Sequence, residues 1–476
     1  MEAFTVLKIT TLIIGFYMAW NIGANDVANA MGTSVGSKAL TLKKAVIIAA
    51  VLEFSGAVFL GSNVASTIQK GIVKPQILEL DPILFVLGMM GALLATSIWI
   101  NLASYFRLPI STTHAIVGAI IGFGLIVQGV DVLNLQKIFY IVSSWVISPI
   151  TSGIISYILF SIIQRTILYN TDPLKVSKKI IPIIVFVTFT FFTLILINHG
   201  MDNLHLSITF FNCLLIALSI GILAYIVSYI LIKNMSFKKN TSPIKVCKFP
   251  MQLISLKKAE IHLQRIKLSS VETTKNAASK ILEQIKLLKK DVKQQIDENG
   301  VLTTYSNIEK LFAYLQIISA CLIAFSHGAN DVANAIGPVS AVITTLNKHT
   351  IQSYNMVSYW VLVLGGVGIV IGLSTWGWRV IETIGKKITH LTPTRGFCAE
   401  FGAAATILTC SKLGMPISTT HALVGGILGV GLARGLSAIN LKTLKDIVFS
   451  WIITIPICMG LSIICFYAFK FFYYLF

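Results

Sequence analysis

Charge is scarce in this sequence, and negative charge most of all: 19 Asp and Glu stand against 38 Lys and Arg, and charged residues make up only 12% of 476. A chain so poor in charge does not cover a water-soluble domain. With 55% hydrophobic residues and a mean hydropathy of +0.81, the composition is that of a polytopic helical membrane protein, in which each span needs ~20 mostly apolar residues. Cysteine is thin as well. The seven cysteines, at 213, 247, 321, 398, 410, 458 and 465, form no Cys-x-x-Cys pair. An odd number scattered mostly through apolar stretches argues against a disulfide framework or thiolate metal site, and for reduced packing residues. No P-loop spells an ATP site and no basic phosphatase-like motif is present, so an enzyme is not expected and no cofactor is implied. The start of the chain, with Glu2 and Lys8 before an apolar run, has no small-residue cleavage pattern; it reads as a retained first span rather than a signal peptide.

The net charge of +19 would suggest a nucleic-acid partner in a soluble protein. Here the basic residues gather between apolar segments, which points to membrane topology and anionic lipid, not nucleic acid. Apolar segments fall at about 4–24, 44–68, 82–105, 111–130, 138–163, 180–198 and 208–232, then at 311–326, 356–378, 397–411, 416–434 and 446–475. If all cross, the connections on one side carry Lys38, Lys43, Lys44, Arg107, Arg165, Lys175, Lys178, Lys179, Arg379, Lys386, Lys387, Arg395, Arg434, Lys442 and Lys445. The other side has only Lys70, Lys74, Lys137, Lys348 and Lys412, besides the end-proximal Lys8 and Lys470. This asymmetry predicts a cytoplasmic first side and both termini outside.

Between the two sets lies a polar stretch, 233–310. Leu282, Ile285, Leu288, Val292 and Ile296 recur there at helical spacing among Lys, Glu and Gln, predicting one or two amphipathic cytoplasmic helices that link the halves or lie on lipid. The domain reading is a first transport repeat over 1–165, additional spans over 166–232, the cytoplasmic basic loop, and a second transport repeat over 311–476.

The repeats rest on residues that occur twice. Gly23-Ala24-Asn25-Asp26-Val27-Ala28-Asn29-Ala30 returns unchanged as Gly328-Ala329-Asn330-Asp331-Val332-Ala333-Asn334-Ala335, and Pro109-Ile110-Ser111-Thr112-Thr113-His114-Ala115 returns as Pro416-Ile417-Ser418-Thr419-Thr420-His421-Ala422. The first motif copies follow segments one and eight, an odd number of crossings apart. The halves should therefore enter the bilayer in opposite directions, the inverted-repeat design of secondary transporters. The expected fold class is an all-α polytopic membrane protein of two inverted repeats and about 12 transmembrane segments, with broken or re-entrant helices at the midplane.

A carboxylate in lipid costs ~2.5–3.5 kcal/mol or more on insertion scales, so Asp26 and Asp331 are functional candidates by default. Four-residue spacing puts Asn25 and Asn29 on one helical face with Asp26 beside them. The small neighbours would let the helix break and expose carbonyls. Carboxylate, amide and carbonyl oxygens together suit a hard cation: sodium at Asp26, Asn29, Asp331 and Asn334, or a proton on the aspartates. The alternative, small-residue packing with a satisfied Asn-Asp cap, explains one copy better than two. In the second motif each Ser-Thr-Thr-His follows a proline and opens a glycine-rich apolar helix. Hydroxyls and free N–H groups at a helix N-terminus make an anion cradle, although plain capping would account for one hydroxyl of the three.

Glu53 and Glu400 sit inside apolar segments and could couple protons or carry sodium, unless they reach water at a helix end. His114 and His421 either orient their loops or touch the ligand. His327 precedes the second Gly-Ala-Asn-Asp where the first half has Ile22, so the halves are not chemically identical. Trp145 and Trp451 also match across the halves and read as interfacial anchors or packing.

With these residues in view, the sequence resembles the inorganic phosphate transporter family of PiT type. The doubled motifs, the membrane glutamates and the central loop carry the resemblance over about 1–165 and 311–476. It implies an alternating-access carrier importing inorganic phosphate by symport with sodium or protons. It also implies that Asn25, Asp26, Asn29, Asn330, Asp331 and Asn334, with Ser111, Thr112, Thr113, Ser418, Thr419 and Thr420, line the substrate and cation sites. Members have functional glutamates at the positions of Glu53 and Glu400. A carrier for another tetrahedral oxyanion, such as sulfate, is the alternative. The plasma membrane, a bacterial inner membrane, is the expected location; a homo-oligomer stays open.

Overall fold

The computed structural model of the chain describes residues 2–70, 72–74, 81–106, 108–200, 209–235, 249–269, 271–298, 301–348, 350–351, 357–381, 391–435 and 441–475. Arg107, Cys247, Lys386 and Lys387 lie outside the described residues, as do the side chains of Lys70, Ile296 and Lys442. Among the described residues the fold is all-helical, apart from a single bridge between Val73 and Leu133.

Helices α1 (Glu2–Gly36), α2 (Leu42–Leu60), α3 (Ser62–Lys70), α4 (Pro82–Tyr105), α5 (Thr112–Gln128) and α6 (Leu135–Ile163) build the first half. Helices α7 (Pro173–Gly200), α8 (Phe210–Asn234), α9 (Phe249–Ser269) and α10 (Glu272–Glu298) follow. The second half is α11 (Val301–Lys348), α12 (Tyr359–Thr375), α13 (Pro393–Lys412), α14 (Thr419–Arg434) and α15 (Leu441–Leu475). Eight described helices are long and apolar enough to cross a membrane, and the chain is a multi-pass membrane protein. The other expected spans are the helices α2, α12, α13 and α14, which are shorter or more polar.

The chain falls into two compact units. One comprises Met1–Phe160, Thr190–Leu218 and Ala313–Phe476; the other comprises Ser161–Phe189 and Ser219–Phe312. In the second unit the central stretch is a pair of packed helices, α9 and α10, with Lys289 Nζ 2.8 Å from Glu260 Oε2. Ala278, Leu282 and Val292 are buried on the inner face of α10, as helical spacing predicts, whereas Leu288 is exposed.

In the first unit the halves are interlocked rather than side by side. Helix α1 packs on α12, α2 on α12 and α11, and α5 on α15. Small residues in the duplicated motif make this possible. A Cβ on Gly328 would lie 2.1 Å from the carbonyl oxygen of Glu53, and one on Gly56 would lie 2.0 Å from that of Phe325. The backbones of α2 and α11 therefore touch, the close approach that small residues permit between membrane helices. Gly328→Ala should destabilise the folded protein by about 2 kcal/mol, the range for forcing a methyl into a packed core. The fraction remaining monodisperse in detergent after a temperature ramp measures it.

The small residues do not break the helix. Both Gly-Ala-Asn-Asp copies lie in uninterrupted helix, in α1 and α11, against the expected midplane break. The interruptions fall instead just ahead of Ser111 and Ser418, where α5 and α14 begin. Ser111 Oγ accepts from the N–H of His114, and Ser418 Oγ from that of His421, so each serine is an N-cap.

Candidate functional site

Every predicted site residue is buried: Asp26, Asp331, Glu53, Glu400 and His327 are each 0% exposed. Their identical octapeptides bring the two aspartates together. His327 stands between them, its Nε2 2.8 Å from Asp331 Oδ2 and 3.9 Å from Asp26 Oδ2, while its Nδ1 lies 3.3 Å from Glu53 Oε2. Asp26, His327 and Asp331 offer atoms all within 4.8 Å of one another. One imidazole thus faces three carboxylates in a site without water access. Even a charged imidazole leaves negative charge over, which is costly unless cations or protons neutralise it.

The second asparagine of each motif bonds across to the other half, and the first stays within its own. Asn29 Nδ2 donates to Thr420 Oγ1 at 2.8 Å and to Asp26 Oδ1 at 3.1 Å. In the other direction, Asn334 Nδ2 reaches Thr112 and Thr113 Oγ1, both at 3.3 Å. Asn330 Nδ2 donates to Asp331 Oδ1 at 2.6 Å and to the carbonyl of Ile417 at 3.1 Å. Asn25 Nδ2 meets Ser104 Oγ at 2.9 Å and the Leu108 carbonyl at 3.2 Å. These bonds fasten each motif asparagine to a loop that opens α5 or α14.

The loop hydroxyls are also engaged. Thr113 Oγ1 donates to the Ile417 carbonyl at 2.9 Å and Thr420 Oγ1 to the Ile110 carbonyl at 3.2 Å, stitching one loop to the other. Thr419 Oγ1 donates to Asp331 Oδ2 at 2.7 Å. The expected set of free donors is therefore, in this structure, engaged: Thr113 and Thr420 bond across the halves, and Thr419 bonds within its own. His114 and His421 pack ring against ring, with centroids 4.5 Å apart. Trp145 and Trp451 pack on the same rings, at 3.8 and 3.5 Å.

Glu400 lies in a separate nest. It accepts from Thr33 Oγ1, from Ser34 Oγ at 2.7 Å, from Gln316 Nε2 at 3.2 Å and from Ser319 Oγ at 2.5 Å. Neither membrane glutamate reaches water. Thr33, Ser34, Gln316 and Ser319 were not singled out from sequence; a glutamine and serine three apart in an otherwise apolar run were the available signal. The two glutamates are not repeat counterparts either. Gly328 abuts the carbonyl of Glu53 as Gly23 abuts that of Ile369, so the partner position of Glu53 carries isoleucine. Ser104 and Ser411 each meet the first asparagine of their own half's motif, and counting from them pairs Glu400 with Leu93.

Long apolar helices enclosing a buried, acidic and amide-rich centre are the build of a membrane transport protein. The pattern described as "Phosphate transporter family" matches residues 22–462, and the chain belongs to that family. A Chlamydia pneumoniae protein that carries a phosphate permease name is 42% identical over 467 residues, covering 98% of each chain. The chloroplastic inorganic phosphate transporter 2-1 of Arabidopsis thaliana is 41% identical over 462 residues, 96% of this chain and 71% of that one. A solved structure named "The sodium-dependent phosphate transporter" superposes with a TM-score of 0.79 at 34% identity, covering 98% of this chain and 99% of the other.

Proposed function

We propose that the protein is a secondary active symporter that imports inorganic phosphate with sodium or protons, by alternating access around the buried centre between its two halves. The observation that carries this reading is a set of oxygens with nothing to accept. Asn25 Oδ1, Asp26 Oδ2, Asn29 Oδ1, Asn334 Oδ1 and both oxygens of Glu53 are buried without a hydrogen-bond partner among the described residues. Buried polar atoms are nearly always paired. Acceptor oxygens from both halves, clustered with surplus negative charge, call for a hard monovalent cation or a proton.

On this reading Asp26, Asn29, Asp331 and Asn334, with Glu53 and Glu400, hold or couple the cation. Phosphate takes the starts of α5 and α14 through Ser111, Thr112, Thr113, Ser418, Thr419 and Thr420, with Asn25 and Asn330 alongside. Helix N-termini bind anions without a fixed positive charge. The threonine hydroxyls, engaged by protein partners in this structure, become donors to phosphate as the loops part. The inverted arrangement of the halves, both termini outside and a location in the plasma membrane rest on the span parity and on the basic residues of the connections. The names of the relatives support phosphate as substrate, and the name of the solved structure supports sodium as its companion.

Uptake of labelled phosphate into proteoliposomes, with sodium present or replaced by choline and at two pH values, tests the coupling. Uptake that rises with an inward sodium or proton gradient is expected. Indifference to both gradients refutes symport, and equal displacement by sulfate makes the protein a general oxyanion carrier.

A further inference from the structure

Helix α6 contains Pro149. Proline has no N–H, so the carbonyl four residues earlier, that of Trp145, loses its helical donor. In this protein the missing donor comes from the other half of the chain: His421 Nδ1 lies 3.1 Å from that oxygen. The imidazole also stacks on Trp451, centroids 3.5 Å apart and planes 27° apart. The arrangement has a weaker mirror image. His114 packs on Trp145 and its Nδ1 faces the carbonyl of Trp451 at 3.4 Å. In α15, however, the proline is Pro456, which frees the carbonyl of Ile452 and leaves that of Trp451 its own helical donor. The shorter contact therefore falls on the carbonyl that needs a donor.

We propose that His421 is a positioning residue: its Nδ1–H replaces the helix hydrogen bond that Pro149 removes and thereby braces the Ser418–Thr420 loop of one half on α6 of the other. The proposal rests on the carrier reading for its consequence, because that loop holds Thr419 on Asp331 and Thr420 on Asn29. It rests on geometry alone for its cause. A carbonyl only accepts, so the proton of the His421 ring sits on Nδ1, and its Nε2, buried without a partner among the described residues, stays bare. A charged ring would bury an N–H at Nε2 with no acceptor. The packing of α14 on α6 is tight enough to hold the brace in register, since a Cβ on Gly425 would lie 2.2 Å from the Pro149 carbonyl oxygen.

Two measurements test it. In the full-length protein in lipid nanodiscs with 15N-labelled histidine, the signal lost in His421→Asn should be that of a neutral ring protonated on Nδ1; a ring protonated on Nε2 overturns the proposal. In proteoliposomes, His421→Phe keeps an aromatic face and loses the donor. It should lower uptake at subsaturating phosphate by about tenfold at an unchanged amount of folded protein, the scale of one hydrogen bond that leaves a buried carbonyl stranded. His421→Asn, whose amide can donate from the same place, should recover most of the rate, and His114→Phe should cost little. Pro149→Ala restores an N–H to the Trp145 carbonyl, so His421→Phe on that background should cost little as well. Wild-type rates in His421→Phe refute the positioning role. A wild-type protein that moves no phosphate refutes the symport reading instead, and the NMR result then decides the brace.

Discussion

Asp331→Asn should reduce phosphate uptake by at least about a hundredfold and lower stability with it, because breaking a buried charge pair costs about 3–5 kcal/mol. The carboxylate accepts from Thr419 at Oδ2 and from Asn330 at Oδ1, and it lies 2.8 Å from the imidazole of His327. An asparagine places an N–H₂ group against one of these donors and strands His327 beside fewer counter-charges. Asp26→Asn should match it in transport and differ in stability. Asp26 Oδ1 takes one hydrogen bond, from Asn29, and its Oδ2 takes none and stands 3.9 Å from the His327 imidazole against 2.8 Å for Asp331; less is lost in the folded protein when the charge goes. Uptake and thermal unfolding measured on both variants separate the roles. If Asp26→Asn transports normally, the unpaired oxygen at Oδ2 has no cation to hold and the coupling site lies elsewhere.

That difference between two aspartates in identical octapeptides was legible in the sequence only as His327 against Ile22, not in the hydrogen bonds each carboxylate takes, and the reason is physical. The duplicated motifs announced themselves, since ionisable and amide groups in apolar runs are too costly to occur twice by accident. Only part of what surrounds each copy comes from the other half, as in the bonds of Asn29 to Thr420 and of Asn334 to Thr112 and Thr113. Asp331 has His327 one helical turn before it, whereas the counterpart position before Asp26 is Ile22. The motif glycines were read as a place for the helix to break; they serve instead as places for α12 to lie against α1, at Gly23, and for α2 to lie against α11, at Gly328. The Ser-Thr-Thr hydroxyls were read as a cradle, and the present partners of Thr113 and Thr420, the Ile417 and Ile110 carbonyls, lie some three hundred positions away. No spacing within one segment can report a bond of that kind. Composition gave the membrane class because hydropathy is a local property, and the pairing of halves was out of reach because it is not.

The environment of Glu400 leads to the second large effect. Glu400→Leu should destabilise the protein by about 4 kcal/mol, whereas Glu400→Gln should cost about 1–2 kcal/mol, as follows from the worth of each buried hydrogen bond. Four side chains converge on this carboxylate, from Thr33 and Ser34 on α1 and from Gln316 and Ser319 on α11. Each donates, so the glutamate joins the first helix of one half to the first helix of the other through α13. Leucine fills the volume and strands all four donors in a dry site. Glutamine keeps one acceptor oxygen, and three of the four donors are hydroxyls that can turn; it loses chiefly the charge. Thermal unfolding ranks the two variants, and uptake then separates two roles for the charge. If Glu400→Gln is stable and transports at wild-type rate, Glu400 is a tie between helices and takes no part in coupling. A stable Glu400→Gln with uptake lowered at limiting sodium, and restored at high sodium, would place the carboxylate on the path of the cation.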